Sequence, residues 1–410
     1  MATAPESVSG HGPDLPVAEA RLVALLGRAR DPAGGFGWLG DDGRLLPGRA
    51  PETWITARMT HVAALAHLRG HAGADDLLDH GVRALRTLLR DHENDGWLPA
   101  VGATTADKEA YQQAFVVLAG ASATGAGHPD GPVLLADALR VADERFWDAD
   151  QQMPLDTWDA TFTRLDDYRG GNAAMHTVEA LTAAYDVTGE DRWLDRALAV
   201  ATRLVDGVAR AHAWRLPEHF DPTWVPDLDH HVDEPAHPFR PYGVTVGHLL
   251  EWSRLLLGLR AASAARPGGA PDWLLPASLA LYDAAVARGW AVDGASGFVY
   301  TTDFADRPVV RLRMHWVLAE ALGAAWARHV ATGEDAALAD HRRWWGWAVE
   351  HLVAPADGSW RHELDEHNRP SAYVWTGRPD LYHAYQATVL PLLPAAPSLV
   401  GAVLASRRRS

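Results

Sequence analysis

Gly35-Phe-Gly-Trp38-Leu, Asp95-Gly-Trp97-Leu-Pro, Gln152-Met153-Pro-Leu, His212-Ala-Trp214-Arg-Leu, Gly297-Phe298-Val-Tyr and Gly358-Ser-Trp360-Arg-His are six versions of one short segment, rich in glycine and apolar side chains. Their central positions (38, 97, 153, 214, 298 and 360) recur at intervals of 59, 56, 61, 84 and 62 residues, a period longer than that of most solenoid repeats. The stretches between them carry helical periodicity and many Ala, Leu and Arg residues, as in 193–205 and 340–352, and each interval has room for two helices. Thr188-Gly-Glu-Asp191 returns 144 residues later as Thr332-Gly-Glu-Asp335, both times before an arginine-rich helix of outer type. The pattern predicts six helical hairpins in succession, closed into an all-α (α/α)6 barrel. Closure buries the ends that an open solenoid, the alternative, leaves bare.

A chain of 410 residues ordinarily forms two domains, but a closed barrel of this kind accommodates it as one, residues 1–410. Within it, residues 1–15 are expected to be a flexible N-terminus. The long fourth interval carries an insertion, 221–245, expected to lie over the mouth of a pocket; loops of that length are uncommon without a function. A net charge of −16 argues against nucleic acid or an anionic membrane as partner and leaves a neutral small molecule compatible. Cysteine is absent, so disulfides, zinc–thiolate sites and thiol catalysis are excluded together. The opening residues lack the basic-then-apolar run of a secretory signal, so a cytoplasmic protein is expected. The apolar stretch 389–405 is short for a membrane span and contains Pro391, Pro394 and Pro397; it reads as a packed closing segment.

Polar residues recur near the starts of the predicted inner helices: Arg58, Tyr111 with Gln112, His176, His248, His315 with Trp316, and His383. If the inner helices run parallel, all converge on one mouth of the barrel. His176, His248 and His383 each read as lying in a first helical turn, where the partial positive charge of the helix end keeps imidazole neutral and able to accept a proton. Glu179 and Glu251 follow His176 and His248 at i+3, on the same helical face, where each can orient its histidine. Gly247 leaves space beside His248 for a ligand. A single His-x-x-Glu is usually a local structural pair; its repetition at corresponding positions favours function.

The run Asp229-His-His231-Val-Asp233-Glu-Pro-Ala-His237 is dense in metal-ligand types, but HExxH and EF-hand patterns are absent and no metal is expected. No phosphate loop, nucleophile elbow or dinucleotide fingerprint occurs, so no cofactor is expected either. Most of the 18 tryptophans belong in the core. A subset including Trp54, Trp224, Trp252, Trp316 and Trp375 would suit the C–H faces of a sugar, with Arg58, Tyr111, Gln112, Asn172 and Glu251 for its hydroxyls.

Trp54-Ile-Thr-Ala-Arg58-Met-Thr-His61, Tyr168-Arg-Gly-Gly-Asn172-Ala-Ala-Met-His176-Thr-Val-Glu179, Glu218-His-Phe-Asp221 with Trp224, Gly247-His248-Leu-Leu-Glu251-Trp252 and Asp380-Leu-Tyr382-His383 together resemble the N-acylglucosamine 2-epimerase superfamily. Within it, the chain is most similar to the aldose-ketose isomerase branch of mannose and sulfoquinovose isomerases. The resemblance covers nearly the whole chain and implies an (α/α)6 barrel performing metal-independent proton transfer through a cis-enediolate. It implies His383 as principal base, His248 supported by Glu251 for ring opening, and Arg58 for enediolate stabilisation. His176, Tyr111 and Asn172 would position the sugar, with Gln112, Trp316, Trp375 and Arg240 as further binding residues. The sulfoquinovose branch places an arginine and a glutamine where this chain has Pro238 and Pro379, which cannot donate to a sulfonate; Arg240, two residues away, is the candidate compensation. The expected reaction is therefore D-mannose to D-fructose, extending to D-lyxose, with sulfoquinovose isomerisation or 2-epimerisation as alternatives. From other classes come a glycoside hydrolase using Asp159, Glu218 or Asp221, and a non-catalytic sugar-binding protein.

Overall fold

Each of the six segments is a chain reversal in the computed structural model, which describes residues 13–408. Five close as narrow antiparallel turns, pairing Arg30 with Phe36, Arg90 with Trp97, Asp148 with Met153, Trp290 with Phe298 and Val353 with Trp360. A left-handed residue precedes the apolar side chain each time: Gly35 (φ 77°), Gly96 (70°), Gln152 (55°), Ala213 (54°), Gly297 (108°) and Gly358 (76°). That conformation is why glycine dominates the repeat.

Between the reversals lie the helices α1 (Leu15–Arg28), α2 (Thr53–Leu68), α3 (Ala74–Arg86), α4 (Ala110–Gly125), α5 (Gly131–Arg145), α6 (Gly171–Thr188), α7 (Asp191–Ala201), α8 (Val246–Ala264), α9 (Leu274–Gly289), α10 (His315–Thr332), α11 (Asp335–Trp347), α12 (Tyr382–Val389) and α13 (Leu399–Arg407). The even-numbered helices α2 to α12 form an inner ring in which each packs on the next and α12 returns to α2. Outer helices α3, α5, α7, α9 and α11 back their preceding partners. The sequence predicts six successive hairpins; five are successive, and the sixth is assembled from the two ends of the chain, α12 with α1. The closure is therefore made by the two ends of the chain. α13 lies against α2, α4 and α6.

Inner and outer helices differ because their surroundings differ. α2 buries every residue from Thr53 to Ala66, whereas α3 keeps Asp75, Asp76 and Arg83 on an exposed face. The buried apolar residues form one connected cluster from Leu22 to Val403. Of the expected flexible stretch 1–15, residues 1–12 lie outside the described residues; Leu15 already begins α1, with the Asp14 carboxylate accepting the Val17 N–H at 3.3 Å. Among the described residues, no helix is long and apolar enough to cross a membrane.

Just before each inner helix the chain pairs antiparallel with a neighbouring segment: Glu52 with Ala100, Lys108–Glu109 with Thr157–Trp158, Arg169–Gly170 with His219–Phe220, Val244–Thr245 with Thr301–Thr302, Arg313–Met314 with Glu363–Leu364, and Leu39 with Arg378. The five inner helices α2 to α10 have no side-chain N-cap. Their first N–H groups instead donate to carbonyls of the next repeat: Thr53 to Pro99 (2.9 Å), Ala110 to Asp156 (2.7 Å), Gly171 to Glu218 (2.7 Å), Val246 to Tyr300 (3.1 Å) and His315 to His362 (3.0 Å). All inner N-termini thereby meet at one end of the barrel.

Close helix contact sets a stability test. A Cβ on Gly120 of α4 would stand 2.8 Å from the Leu135 Cα of α5, whereas one on Gly346 of α11 meets nothing within 4 Å. Gly120→Leu is expected to cost about 1–3 kcal/mol and lower the thermal midpoint. Gly346→Ala should leave the midpoint unchanged or raise it, both read by circular dichroism.

Candidate active site

The inner N-termini surround a cavity of about 640 Å³, counting its open mouth. Every inner helix contributes: Arg58 from α2, Tyr111 from α4, Asn172 and His176 from α6, His248 and Glu251 from α8, Trp316 from α10 and His383 from α12. Trp375 completes the wall, and the loop 221–245 adds Pro238, Phe239 and Pro241. His248, His315 and His383 stand in first turns. His176 and Arg58 are sixth residues of their helices, one turn deeper than the sequence pattern places His176.

Three of these histidines are each backed by a glutamate. His383 Nδ1 donates to Glu320 Oε1 at 2.8 Å, His248 Nδ1 to Glu218 Oε1 at 2.9 Å, and His176 Nδ1 to Glu179 Oε2 at 3.2 Å. A carboxylate at Nδ1 selects the tautomer that leaves the Nε2 lone pair free, the form able to take a proton. The expected support of His248 by Glu251 is thus corrected: the i+3 residue lies on the right helix, but Glu218, delivered by the strand beside α6, occupies the position at Nδ1. Burial, with the Arg58 charge next, holds His383 well below the ordinary histidine value, so it is neutral at pH 7.

Beneath the cavity Arg254 joins the carboxylates. Its Nε lies 2.9 Å from Glu320, and Nη2 is 3.6 Å from Glu251 and 4.0 Å from Glu179. Burial followed by the charges of Glu320 and Glu179 raises Glu251 well above the usual carboxylate range. Burial acts the same way on Glu179 but is outweighed by the His176 hydrogen bond and Arg254, which lower it. The atoms of His176, Glu179 and Glu251, and those of Glu251, Glu320 and His383, are close enough to surround a cation, and the Arg254 guanidinium already supplies positive charge to both groups.

Arg58 spans the cavity wall, donating to Asp380 at 2.9 Å and to the Tyr111 oxygen at 2.8 Å, 4.2 Å above the Phe115 ring. Asn172 keeps its buried Oδ1 without a protein partner. Phe239 enters from the loop between Trp54, Tyr111 and Trp375, at ring separations of 5.9, 5.8 and 5.2 Å. The histidines of that loop are spent on holding it. His231 Nδ1 donates to the Arg240 carbonyl at 2.7 Å, and His237 Nδ1 accepts the Arg240 N–H at 3.0 Å, while the rings of His230, His231 and His237 pack at a tilt, 4.2 and 4.7 Å apart.

A sequence profile of N-acylglucosamine 2-epimerase matches residues 34–387. The chain belongs to the N-acylglucosamine 2-epimerase family. It is 52% identical over 388 residues to a D-mannose isomerase of Thermobifida fusca, covering 93% of this chain and 94% of that one. A D-mannose isomerase of Pseudomonas cannabina pv. alisalensis is 45% identical over 373 residues, 90% of each chain. A crystal structure of D-mannose isomerase superposes with a TM-score of 0.86 at 27% identity, over 95% of this chain and 99% of that one.

In this member of the N-acylglucosamine 2-epimerase family, nine of the eleven expected site residues line the cavity and two do not. Gln112 points to Glu109, and Arg240 lies over the Tyr168 ring at 3.9 Å with Asp156 at 3.6 Å. Gly247 serves packing rather than ligand approach: a Cβ there would strike the Trp316 ring, which lies 5.1 Å from the His248 ring. Asp159 and Asp221 tie their own loops, accepting Thr163 and Val225 N–H groups, and neither lines the cavity. The sequence reading places His315 at the mouth, as found, but does not single out Glu320, Arg254, His362 and Tyr300. The available signal for Glu320 was a lone charge inside the apolar run Val317–Trp326, and for Arg254 its place at i+3 from Glu251 within an otherwise uncharged stretch, Leu249–Leu259.

Burial holds His61, His176, His219, His315 and His341 at about 4. Their folded values lie below the unfolded 6.5, so the unfolded state binds more protons between these limits. Stability is expected to be complete above pH 6.5 and to fall as pH drops toward 4, read as a declining thermal midpoint. Histidine NMR titration should find His176 and His315 neutral at pH 5.5.

Proposed function

We propose that this protein is an aldose-ketose isomerase that interconverts D-mannose and D-fructose without a metal ion. The relatives at 52% and 45% identity, each spanning at least nine-tenths of the chain, are D-mannose isomerases, and the histidine–glutamate pairs of the cavity support the same reading here. The observation that carries the mechanism is the His383–Glu320 pair at 2.8 Å, a neutral base whose lone pair faces the cavity and whose conjugate acid has a carboxylate to stabilise it.

With the sugar bound, His248, oriented by Glu218, moves a proton between the anomeric hydroxyl and the ring oxygen and opens the pyranose. His383 takes the C2 proton at Nε2; the electrons left behind form a cis-enediolate across C1 and C2. Arg58, held by Asp380 and Tyr111, faces the developing oxyanion. His248 passes the O2 hydroxyl proton to O1, and the proton on Nε2 returns to C1 as the C2 oxygen becomes a carbonyl. Glu320 carries the imidazolium charge through this sequence, and Arg254 offsets the buried carboxylates, so positive charge is supplied without a metal. Asn172 and His176 bind hydroxyls. Neutral sugar is favoured over sulfosugar because Pro238 and Pro379 line the cavity while Arg240 is engaged outside its lining.

D-Mannose incubated with the protein and a chelator in deuterated water is expected to give fructose; glucose deuterated at C2, without fructose, would make it an epimerase instead. Glu320→Gln and Glu218→Gln should each lower kcat by about 10²–10⁴-fold in steady-state assays, because an amide at Nδ1 no longer holds the imidazole in the tautomer with its lone pair on Nε2. Loss of turnover on chelation, restored by a divalent ion, would overturn the metal-free mechanism.

A further inference from the structure

His315 is the first residue of α10, 4% exposed, and lines the cavity, yet the mechanism above gives it nothing to do. Its two ring nitrogens are in opposite situations. Nδ1 lies 3.3 Å from the carbonyl oxygen of His362, the same oxygen that takes the His315 backbone N–H at 3.0 Å. A carbonyl oxygen only accepts, so Nδ1 carries the hydrogen and Nε2 carries the lone pair. Nε2 is buried and has no protein partner.

The ring cannot easily exchange these roles. It stacks on the His362 ring at 3.7 Å and 21°, and His362 is anchored in turn by donation from its Nε2 to the Asp380 carbonyl at 3.1 Å. Burial keeps both imidazoles neutral. The wall beside His383, 6.3 Å away ring to ring, thus presents one oriented acceptor and no donor at this point. A buried acceptor without a partner is costly unless a ligand hydrogen meets it.

We propose that His315 Nε2 is a specificity-determining acceptor for one substrate hydroxyl outside the reacting C1–C2 pair, positioned by the His362 stack. The inference rests on the isomerase reading and adds to it a residue that selects for a hydroxyl donor at one place on the sugar. An anionic oxygen there brings only lone pairs and is repelled, while a deoxy sugar leaves Nε2 unpaired.

The test compares the unmodified protein with His315→Phe and His315→Gln on D-mannose, D-lyxose and the 3-, 4- and 6-deoxy mannoses. Steady-state turnover and calorimetric binding are measured in parallel. His315→Phe is expected to raise KM and Kd for D-mannose about 3- to 10-fold, the value of one hydrogen bond, while kcat changes less than about threefold. That penalty should vanish for the one analogue lacking the hydroxyl, and His315→Gln, whose amide oxygen accepts, should restore most of the affinity. An equal penalty on every analogue, or a fall in kcat with KM unchanged, overturns the proposal. Absence of D-mannose turnover by the unmodified protein would overturn the isomerase reading instead, and the binding comparison would still decide the role of His315.

Discussion

The carbonyl that one repeat lends to the first N–H of its neighbour's inner helix is the interaction on which the rest of the molecule depends. An inner helix buried on all sides has no solvent to satisfy its N-terminal donors, and none of α2 to α10 has a side-chain cap. Pro99, Asp156, Glu218, Tyr300 and His362 supply the missing acceptors through the backbone. The bond runs between repeats, so it fixes the height of each helix relative to the next and aligns the positive ends of their dipoles on one cavity. The same residues then work through their side chains. Glu218 orients His248, while Tyr300 and His362 face the cavity. Ring closure and construction of the site are one event.

A site built this way buries charges at considerable cost. Glu179, Glu251 and Glu320 lie around one guanidinium, and Glu251 is fully buried and accepts no hydrogen bond from the protein. The cluster lowers its own charge by raising Glu251 out of the carboxylate range. Such a layer is poor for stability, and replacing it with apolar side chains would often stabilise a fold. Its worth is positional: each glutamate at Nδ1 turns an imidazole so that a lone pair, not a hydrogen, meets the sugar.

The architecture was legible in the sequence because it is made by local chemistry. Left-handed turns demand glycine, and Gly35, Gly96, Gly297 and Gly358 mark them at a readable interval. The polar positions followed because each sits within the first two turns of a helix whose start is recognisable. Partnerships across the ring were not legible. The i+3 rule directs attention to Glu251, but the atom that reaches His248 belongs to a residue 30 positions earlier, and the partner of His383 lies 63 positions away. Both reach the site through strand pairing or helix neighbours whose register no local pattern encodes. The sixth hairpin was hidden for the same reason, since α1 and α12 are separated by more than 350 residues.

Specificity follows from where positive charge is allowed to be free. Arg58 faces the cavity but is divided between Asp380 and Tyr111, and Arg254 is enclosed by three glutamates. Arg240 is carried on a loop that lines the cavity, yet His231 holds its backbone carbonyl and its guanidinium lies over Tyr168 beside Asp156. Phe239, next to it in sequence, enters the cavity instead, among Trp54 and Trp375. Adjacent residues of a tightly held loop point in different directions, so bringing the cation in would withdraw the aromatic ring. The loop thus presents to the cavity an apolar face suited to C–H groups in place of a free cation.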